Sequence, residues 1–348
     1  MSEGEENATT GFILLGFIYS TDERHIIIPG LVLILALGLS ANLLIFGIVH
    51  TKSSVRTPKN VLISHLCIID VYGLLAFSPY LITRLALRNF DPITLEWCLV
   101  QYYFLNVYTC IATFAVTFMA VDRYYVICYP FIYEMKVTNE RITKGVLLSW
   151  AFAVVYPTFY MFPFIGQEPC YLITSSSFLC TGISLEASLC SSSASVFPKF
   201  YRILMITVHL LGAAVMVAFS YVKILRESRS ARLSESSRKA LNTVITHGLV
   251  LIIFFCNASL LFITGSLRIN TSTEESVMAT LRLTADLLYL QLPPTFNPII
   301  YGLRNKELRK EFLKFFRKRN GRVKASTAPA VVWKDRTLNI INIINHND

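Results

Sequence analysis

Charged side chains are scarce in this chain and unevenly placed. Asp, Glu, Lys and Arg make up 16% of its 348 residues, and 54% of the residues are hydrophobic. Soluble proteins carry about 25% charged residues, and a soluble domain cannot bury so much apolar surface. From Trp97 to Val121 there are 25 residues without one charge. These shortages exclude an ordinary soluble domain and favour a protein that crosses a membrane several times.

The sequence also lacks the patterns that support catalysis or a resident metal. It has no glycine-rich phosphate loop and no His-Glu-x-x-His pair, and its six histidines are scattered along the chain. Asp70 and Asp286 lie in different apolar runs, so the sequence does not pair them as an acid and a base. We therefore expect no enzyme activity, no cofactor and no metal.

Seven long runs with few or no charges remain, and each reaches the roughly 20 residues that a helix needs to cross a bilayer. The pattern predicts an all-α membrane protein folded as a seven-transmembrane helix bundle. No stretch is left for a second globular domain. We expect no cleavable signal peptide, because the first seven residues contain acids and no base. The seven predicted spans are residues 26–50, 60–83, 98–121, 145–166, 203–222, 241–266 and 283–303.

Lysine and arginine fall mainly on one side of these spans. With the N-terminus outside, the inner loops and the C-terminal tail hold 25 of the 32 basic residues, and the outer segments hold 7. Cytoplasmic loops carry the excess of Lys and Arg, so the sequence predicts an extracellular N-terminus and a cytoplasmic C-terminus. The net charge of +10 then belongs to the cytoplasmic membrane face, next to anionic lipid. We expect no nucleic-acid partner.

Four regions follow from this topology. Residues 1–25 form an extracellular tail, in which Asn7 begins a glycosylation sequon, and residues 26–303 form the transmembrane domain. Residues 304–318 have apolar side chains at helical spacing and predict a short amphipathic eighth helix lying on the inner leaflet. Residues 319–348 are expected to be a disordered cytoplasmic tail.

An acid and a base stand side by side where the third span meets polar sequence. An adjacent Asp122 and Arg123 are by themselves equally compatible with an ordinary interfacial ion pair. Their context is more specific, because the run Met119-Ala-Val-Asp-Arg-Tyr124 is followed at fixed offsets by Cys128, Pro130 and Tyr133. This segment resembles the signature of the odorant receptor family of rhodopsin-like (class A) G-protein-coupled receptors. Within that family the chain is most similar to the fish members. The resemblance implies that Asp122 and Arg123 form a latch, which opens on activation.

Further motifs carry the same resemblance over residues 10–317. Ser220-Tyr221, a Lys239-to-His247 segment and Asn297-Pro298 with Tyr301 stand in the order and spacing of the family. Val244 replaces a usual Cys, Phe254-Phe255-Cys256 replaces Phe-Tyr-Gly, and Pro58-Lys59-Asn60 replaces Pro-Met-Tyr. The residues that the resemblance assigns to the G-protein switch are Asp122, Arg123, Tyr124, Tyr221, His247 and Tyr301.

Three of the polar side chains within the apolar spans fall at a similar predicted depth. Asn42, Asp70 and Asn297 are costly in hydrocarbon unless they have partners. They are either unrelated helix-to-helix contacts or one polar core, and the resemblance favours the core, which can hold water. Sodium at Asp70 is not expected, because the third span offers only Ala112 and Thr113 near that depth.

Four cysteines fall on the predicted outer side, where disulfides form. They are Cys98, Cys170, Cys180 and Cys190, and four cysteines allow three pairings. The resemblance selects Cys98–Cys180, which would hold the long outer loop on the third span, and Cys170–Cys190, which would close a lid within that loop.

The family also places the ligand in the outer half of the bundle. Helical spacing puts Tyr102, Leu105, Asn106 and Thr109 on one face of the third span, which is equally compatible with plain packing. Arg202, Arg268 and Asp286 are expected near the rim of the site, so that no charge lies deep inside it. A small, weakly polar ligand is therefore expected. The seventh span has no Lys, which excludes a retinal Schiff base. The matching positions on the other spans are Met205, His209, Ala258, Phe262, Leu287 and Leu290.

The sequence therefore predicts an odorant receptor at the plasma membrane that binds a small-molecule odorant and activates a stimulatory, olfactory-type heterotrimeric G protein. A chemoreceptor of the same class outside the nose is the alternative within the class. A membrane transporter is the alternative from another class, but transporters tend to have internal repeats, and we find no such repeat in this sequence.

Overall fold

A computed structural model of the protein describes residues 10–14, 16, 24–88, 91–175, 177–191, 193–230, 256, 272–305, 307–312 and 314. Helices dominate this part of the chain. In chain order they are α1 (Arg24–Thr51), α2 (Pro58–Leu87), α3 (Leu95–Cys128), α4 (Pro130–Lys136), α5 (Asn139–Met161), α6 (Gly182–Ala187), α7 (Val196–Ile206), α8 (Gly212–Ser230) and α9 (Ser272–Arg304).

Five of the predicted spans coincide with helical segments that are long and apolar enough to cross a membrane. Within the described residues these segments are Arg24–Thr51, Pro58–Leu87, Leu95–Cys128, Asn139–Phe164 and Val196–Glu227. The predicted seventh span, residues 283–303, lies within α9. The predicted sixth span, residues 241–266, lies outside the described residues except for Cys256.

Threonine side chains begin three of the long helices. Thr57, Thr94 and Thr138 precede α2, α3 and α5 and have extended backbones. The hydroxyl oxygen of each accepts a hydrogen bond from the backbone N–H three residues later, at 3.4, 3.3 and 3.3 Å. Such caps satisfy one of the N–H groups that a helix leaves unpaired at its start. The bounds of these helices are therefore set locally, by polar residues at the ends of the apolar runs.

The helix α3 lies in the centre of the bundle and packs against α2, α5 and α8. Its buried residues contribute to two apolar clusters, a larger one that contains Ile111 and Met119 and an outer one that contains Cys98 and Tyr102. In contrast, α1, α5 and α7 expose large apolar side chains such as Leu148. An exposed apolar surface of this kind is suited to lipid.

A two-stranded parallel sheet covers part of the outer side. Strand β1 (Gly11–Leu14) pairs in register with β2 (Leu172–Ser175), and Phe12 exchanges backbone hydrogen bonds of 3.0 and 2.9 Å with Ile93. Phe12 is fully buried in the outer apolar cluster. Gly11 has φ +147°, where a Cβ would lie 2.9 Å from the Ile93 carbonyl oxygen. The region predicted as an extracellular tail thus contains a strand that is bound to two outer loops.

The chain after α9 continues in a short helical segment, residues 307–312, within the predicted eighth helix. Leu308 is buried and Phe312 packs against the larger apolar cluster, so the apolar side of this segment faces the bundle. Residues 315–348, which include the predicted cytoplasmic tail, lie outside the described residues, as does Asn7.

Candidate functional site

A cavity of about 980 Å³ opens in the outer half of the bundle. It lies among α3, α5, α7 and α9 and is covered by the outer loop that contains β2 and α6. A volume of this size is in the range of small-molecule sites. All four residues predicted on the third span line it, namely Tyr102, Leu105, Asn106 and Thr109.

The polar residues on α3 are held by hydrogen bonds within that helix and to other helices. Asn106 donates from Nδ2 to the Tyr102 carbonyl oxygen at 2.8 Å and accepts the Tyr156 hydroxyl at 3.2 Å. Thr109 accepts the Tyr289 hydroxyl at 2.9 Å, which joins α3 to α9. Asn106 and Thr109 therefore present polar groups in defined positions to the cavity.

The fifth span changes its helical geometry where it meets the cavity. Residues Thr207–Leu211 form a π-helical turn between α7 and α8, and such turns are frequent at functional sites. The turn contains His209, whose ring lies 5.3 Å from that of Phe114. The His209 Nε2 atom is buried, and no hydrogen bond to it is found in the described part of the chain. Met205 also lines the cavity.

The remaining predicted pocket residues have different outcomes. Leu290 lines the cavity. Leu287 does not line it and instead packs against the outer apolar cluster, because it faces away from the cavity. Ala258 and Phe262 lie outside the described residues.

Two disulfide bonds hold the outer loop over the cavity. Cys98 at the start of α3 is bonded to Cys180, and Cys170 is bonded to Cys190, each with a Cα–Cα distance of 5.4 Å. The first bond places the loop directly on α3. The second closes a ring within the loop that contains β2 and α6.

An ion pair in the cavity wall joins this loop to the fifth span. Arg202 of α7 contacts Glu186 of α6 through two nitrogens, with Nε–Oε1 at 2.6 Å and Nη2–Oε2 at 2.9 Å. The side chains are only 11% and 9% exposed, respectively. Arg202, which the sequence predicts near the rim, is buried in the structure, because α6 folds back over the guanidinium. Glu186 was not singled out, since a lone acid in a loop carries no sequence signal.

The outer loop is also joined to α9. Asp286 accepts hydrogen bonds from the Ser177 hydroxyl and, at 3.2 Å, from the Phe178 backbone N–H. The loop therefore contacts α3, α7 and α9 by covalent, ionic and hydrogen bonds. These contacts keep the cavity covered.

The three residues of the predicted polar core, Asn42, Asp70 and Asn297, are all buried. They form two separate hydrogen-bonded contacts. Asn297 donates from Nδ2 to both carboxylate oxygens of Asp70, at 3.3 and 3.2 Å. Asn42 instead donates to the Pro294 carbonyl oxygen at 2.8 Å. Both contacts hold α9 against its neighbours, since Pro294 and Asn297 lie in the same helix. Among the described residues no group of three or more His, Cys, Asp or Glu could hold a metal ion.

The predicted latch lies at the inner end of α3. The Arg123 Nη2 atom is 3.2 Å from the Asp122 Oδ2 atom, and the side chains are 12% and 2% exposed. Asp122 Oδ2 makes no aligned hydrogen bond in the described region, so this contact is mainly electrostatic. The other oxygen, Oδ1, accepts the Tyr133 hydroxyl of α4 at 2.8 Å. Tyr133 belongs to the motif in the sequence, but only the structure shows that Asp122 is its partner.

The other predicted switch residues surround the latch on different helices. Tyr124 packs its ring 5.8 Å from that of Phe219 on α8. Tyr301 of α9 is buried in the larger apolar cluster, and Tyr221 of α8 packs against that cluster. His247 lies outside the described residues.

Asn60, at one of the positions that depart from the family pattern, makes a second inner contact. It is fully buried and donates from Nδ2 to the Val55 carbonyl oxygen at 2.7 Å and to Glu307 at 3.1 Å. Its Oδ1 accepts the Asn305 amide at 2.5 Å. Asn60 thereby connects the start of α2 to the segment after α9.

A disulfide-held lid over an outer cavity, a polar contact between α2 and α9, and an Asp-Arg pair at the inner end of α3 agree with the resemblance found in the sequence. The family profile described as "Olfactory receptor" matches residues 31–319. The protein is therefore a seven-transmembrane helical receptor of the G-protein-coupled class and not an enzyme. The chain belongs to the olfactory receptor family.

Individual relatives agree with this membership. The chain is 25% identical over 308 residues to olfactory receptor-like protein OLF4 of the dog. This match covers 88% of this chain and 96% of the dog protein. It is 24% identical to rat olfactory receptor 1078, over 89% of this chain and 90% of the rat protein. It is 30% identical to human olfactory receptor 52N5, over 80% of this chain and 84% of the human protein.

Proposed function

We propose that the protein binds a small odorant in the outer cavity and responds by activating a stimulatory, olfactory-type heterotrimeric G protein at the plasma membrane, with its N-terminus outside the cell. One observation carries this proposal. A single helix, α3, lines the cavity with its outer half and carries the Asp122–Arg123 latch at its inner end. Thr109 and Asp122 are 13 residues apart, or about 20 Å along the helix axis.

The cavity supports the binding part of the proposal. Aromatic and aliphatic side chains of α3, α5 and α9 enclose it, and a few polar groups converge on it. The imidazole Nε2 of His209 is one such group, since it is buried without a hydrogen bond in the described region. A ligand hydrogen bond would satisfy this atom, which otherwise carries the cost of desolvation.

The contacts between α3 and α9 support the coupling part. Tyr289 joins the two helices at the cavity, and Asn297 holds α9 to α2 through Asp70 at greater depth. A ligand shifts a conformational equilibrium only by its different affinity for the two states. A ligand that prefers a rearranged Thr109–Tyr289 contact would therefore favour a state in which the latch is open and a G protein can enter from the inner side.

The test is a cyclic-AMP reporter assay with the full chain and a panel of volatile and water-soluble odorants. Arg123→Gln should abolish the response while surface labelling of an N-terminal tag on intact cells stays close to wild type. Arg141→Gln is a matched control, because Arg141 is an exposed inner base whose guanidinium donates to the Lys136 carbonyl oxygen at 2.8 Å. A full response from Arg123→Gln would reject the latch mechanism, and a tag labelled only after permeabilisation would reject the topology.

A further inference from the structure

The wall of the outer cavity is more basic than acidic. Among its described lining residues, three are basic and two are acidic. The bases are Lys199, Arg202 and Arg282, and the acids are Glu186 and Asp286. A charged ligand that enters this cavity therefore meets an excess of one positive charge, in surroundings where charge is weakly screened.

Both acids already have donors from the protein. Glu186 accepts two nitrogens of Arg202 and also the Tyr160 hydroxyl at 3.3 Å. Asp286 accepts a hydroxyl and a backbone N–H from the outer loop. A ligand cation would have to compete with these donors, and removing them would leave polar groups of the lid unpaired.

The guanidinium of Arg202 still has donors to offer. An arginine has five N–H donors, and the contacts to Glu186 involve only Nε and Nη2. No hydrogen bond from Nη1 is found within the described residues. Arg202 is thus held in one position by Glu186 and has donors left for a second carboxylate.

The local backbone is shaped around this arginine. A Cβ on Gly182 would overlap Arg202 Cδ and lie 2.7 Å from the Tyr102 hydroxyl oxygen. Only glycine lets α6 approach the side chain so closely. The Tyr160 hydroxyl also donates to the Gly182 carbonyl oxygen at 3.1 Å. Arg202 is therefore a fixed cation, whereas Lys199 is an exposed residue at the rim.

We propose that the ligand class of this cavity is a small organic carboxylate, bound by the Arg202 guanidinium with Lys199 at the rim. The proposal rests on the proposed function, since it names the ligand of the same cavity, and it replaces the weakly polar ligand that the sequence suggested. The hydroxyl-bearing wall formed by Tyr102, Tyr160 and Thr109 is suited to such a water-soluble molecule.

The first test compares head groups on one carbon skeleton. The purified full-length receptor is heated with hexanoate, hexanamide or hexylamine, and then with benzoate, benzamide or benzylamine. The carboxylate should raise the melting temperature most in each set and should show an affinity roughly tenfold above that of the amide, as a charge-assisted hydrogen bond allows. A preference for the amide or the amine, equal shifts for all three, or no shift with any carboxylate would each overturn the proposal.

The second test isolates Arg202 without leaving an acid alone in the wall. Glu186→Gln keeps Arg202 and removes its partner charge, so it should strengthen carboxylate binding. Glu186→Gln with Arg202→Gln leaves both groups neutral and should weaken carboxylate binding roughly tenfold relative to the single variant, with little change for the amide. Glu168→Gln with Arg88→Gln removes the same two charges from exposed outer positions and is the matched control. Equal carboxylate binding by the single and double Glu186 variants would overturn the role of Arg202.

The two proposals fail in different ways. Carboxylates that stabilise the purified receptor without raising cyclic AMP in cells that contain the stimulatory G protein would support this inference and contradict the coupling. Neutral odorants that raise cyclic AMP when carboxylates do not would support the receptor function and overturn the ligand class. If a variant with Arg202→Gln does not reach the cell surface, the head-group comparison on the wild-type receptor decides.

Discussion

The hydroxyl of Tyr133 donates a hydrogen bond to Asp122 across 2.8 Å. Asp122 is therefore held from two sides, by Arg123 of its own helix and by a side chain of the inner-loop helix α4. Burial, followed by the charge of the Asp122 carboxylate, raises the pKa of the Tyr133 hydroxyl. The hydroxyl thus remains protonated at neutral pH and continues to donate.

Tyr133→Phe should raise the basal cyclic-AMP signal. The variant removes one hydrogen bond that holds the acid beside Arg123, which is worth about 1 kcal/mol, or roughly fivefold in the equilibrium. The measurement is ligand-free reporter activity normalised to surface receptor. Tyr171→Phe, at an exposed outer position, is the control and should leave the basal signal unchanged. A basal signal from Tyr133→Phe at the wild-type level would show that the contact does not restrain the latch.

The two disulfides should differ in their effect on folding. The Cys98–Cys180 bond closes a separation of 82 residues and the Cys170–Cys190 bond one of 20 residues. Removal of a native disulfide costs about 2–5 kcal/mol, and a longer closed loop is the more costly to lose.

Cys98→Ser with Cys180→Ser should therefore reduce surface labelling more strongly than Cys170→Ser with Cys190→Ser. Cys110→Ser, which changes a free buried cysteine, shows how far serine alone affects packing. Equal labelling of both double variants would contradict the ranking.

Asn60 should stabilise the inner end of the bundle. Asn60→Ala removes its contacts to Asn305 and Glu307 and leaves buried polar groups without a partner, at a cost of about 1–3 kcal/mol. The melting temperature of the purified receptor should fall. Coupling to the G protein should weaken, because the segment after α9 is no longer hydrogen-bonded to the start of α2. Asn139→Ala removes a single contact of 3.0 Å to the Arg56 carbonyl oxygen and should have a smaller effect. A larger loss from Asn139→Ala would reject this role.

Gly73 allows α2 and α3 to approach each other closely. A Cβ at Gly73 would lie 2.6 Å from Tyr108 Cε2, a distance that forces the fully buried ring to move. Overpacking of this kind costs about 1–3 kcal/mol, so Gly73→Ala should lower the melting temperature. A Cβ at Gly47 meets nothing within 4 Å, so Gly47→Ala should be neutral or slightly stabilising. If the two variants melt at the same temperature, the close approach is not important for stability.

Much of the architecture could be predicted because each span is encoded locally. An uncharged run of about 20 residues specifies a membrane helix without reference to the rest of the chain. The pattern of apolar runs did not reveal the residues at which the helices begin, which the caps at Thr57, Thr94 and Thr138 set. The face of α3 that lines the cavity follows from helical periodicity in the same way. The position of Leu287 in the outer apolar cluster could not be predicted from the sequence, because the face that a helix presents depends on how it is rotated in the bundle.

The sequence by itself determined where the long apolar runs lie, how the basic residues are distributed between them and which cysteines are available for pairing. Only the tertiary structure decided which distant groups meet. Glu186 joins Arg202, Asn42 reaches the Pro294 carbonyl oxygen 252 residues away, and β1 pairs with β2. The physical reason is that hydrophobicity is a property of each segment, whereas a polar contact requires two partners, and the packing of helices and loops selects the second one.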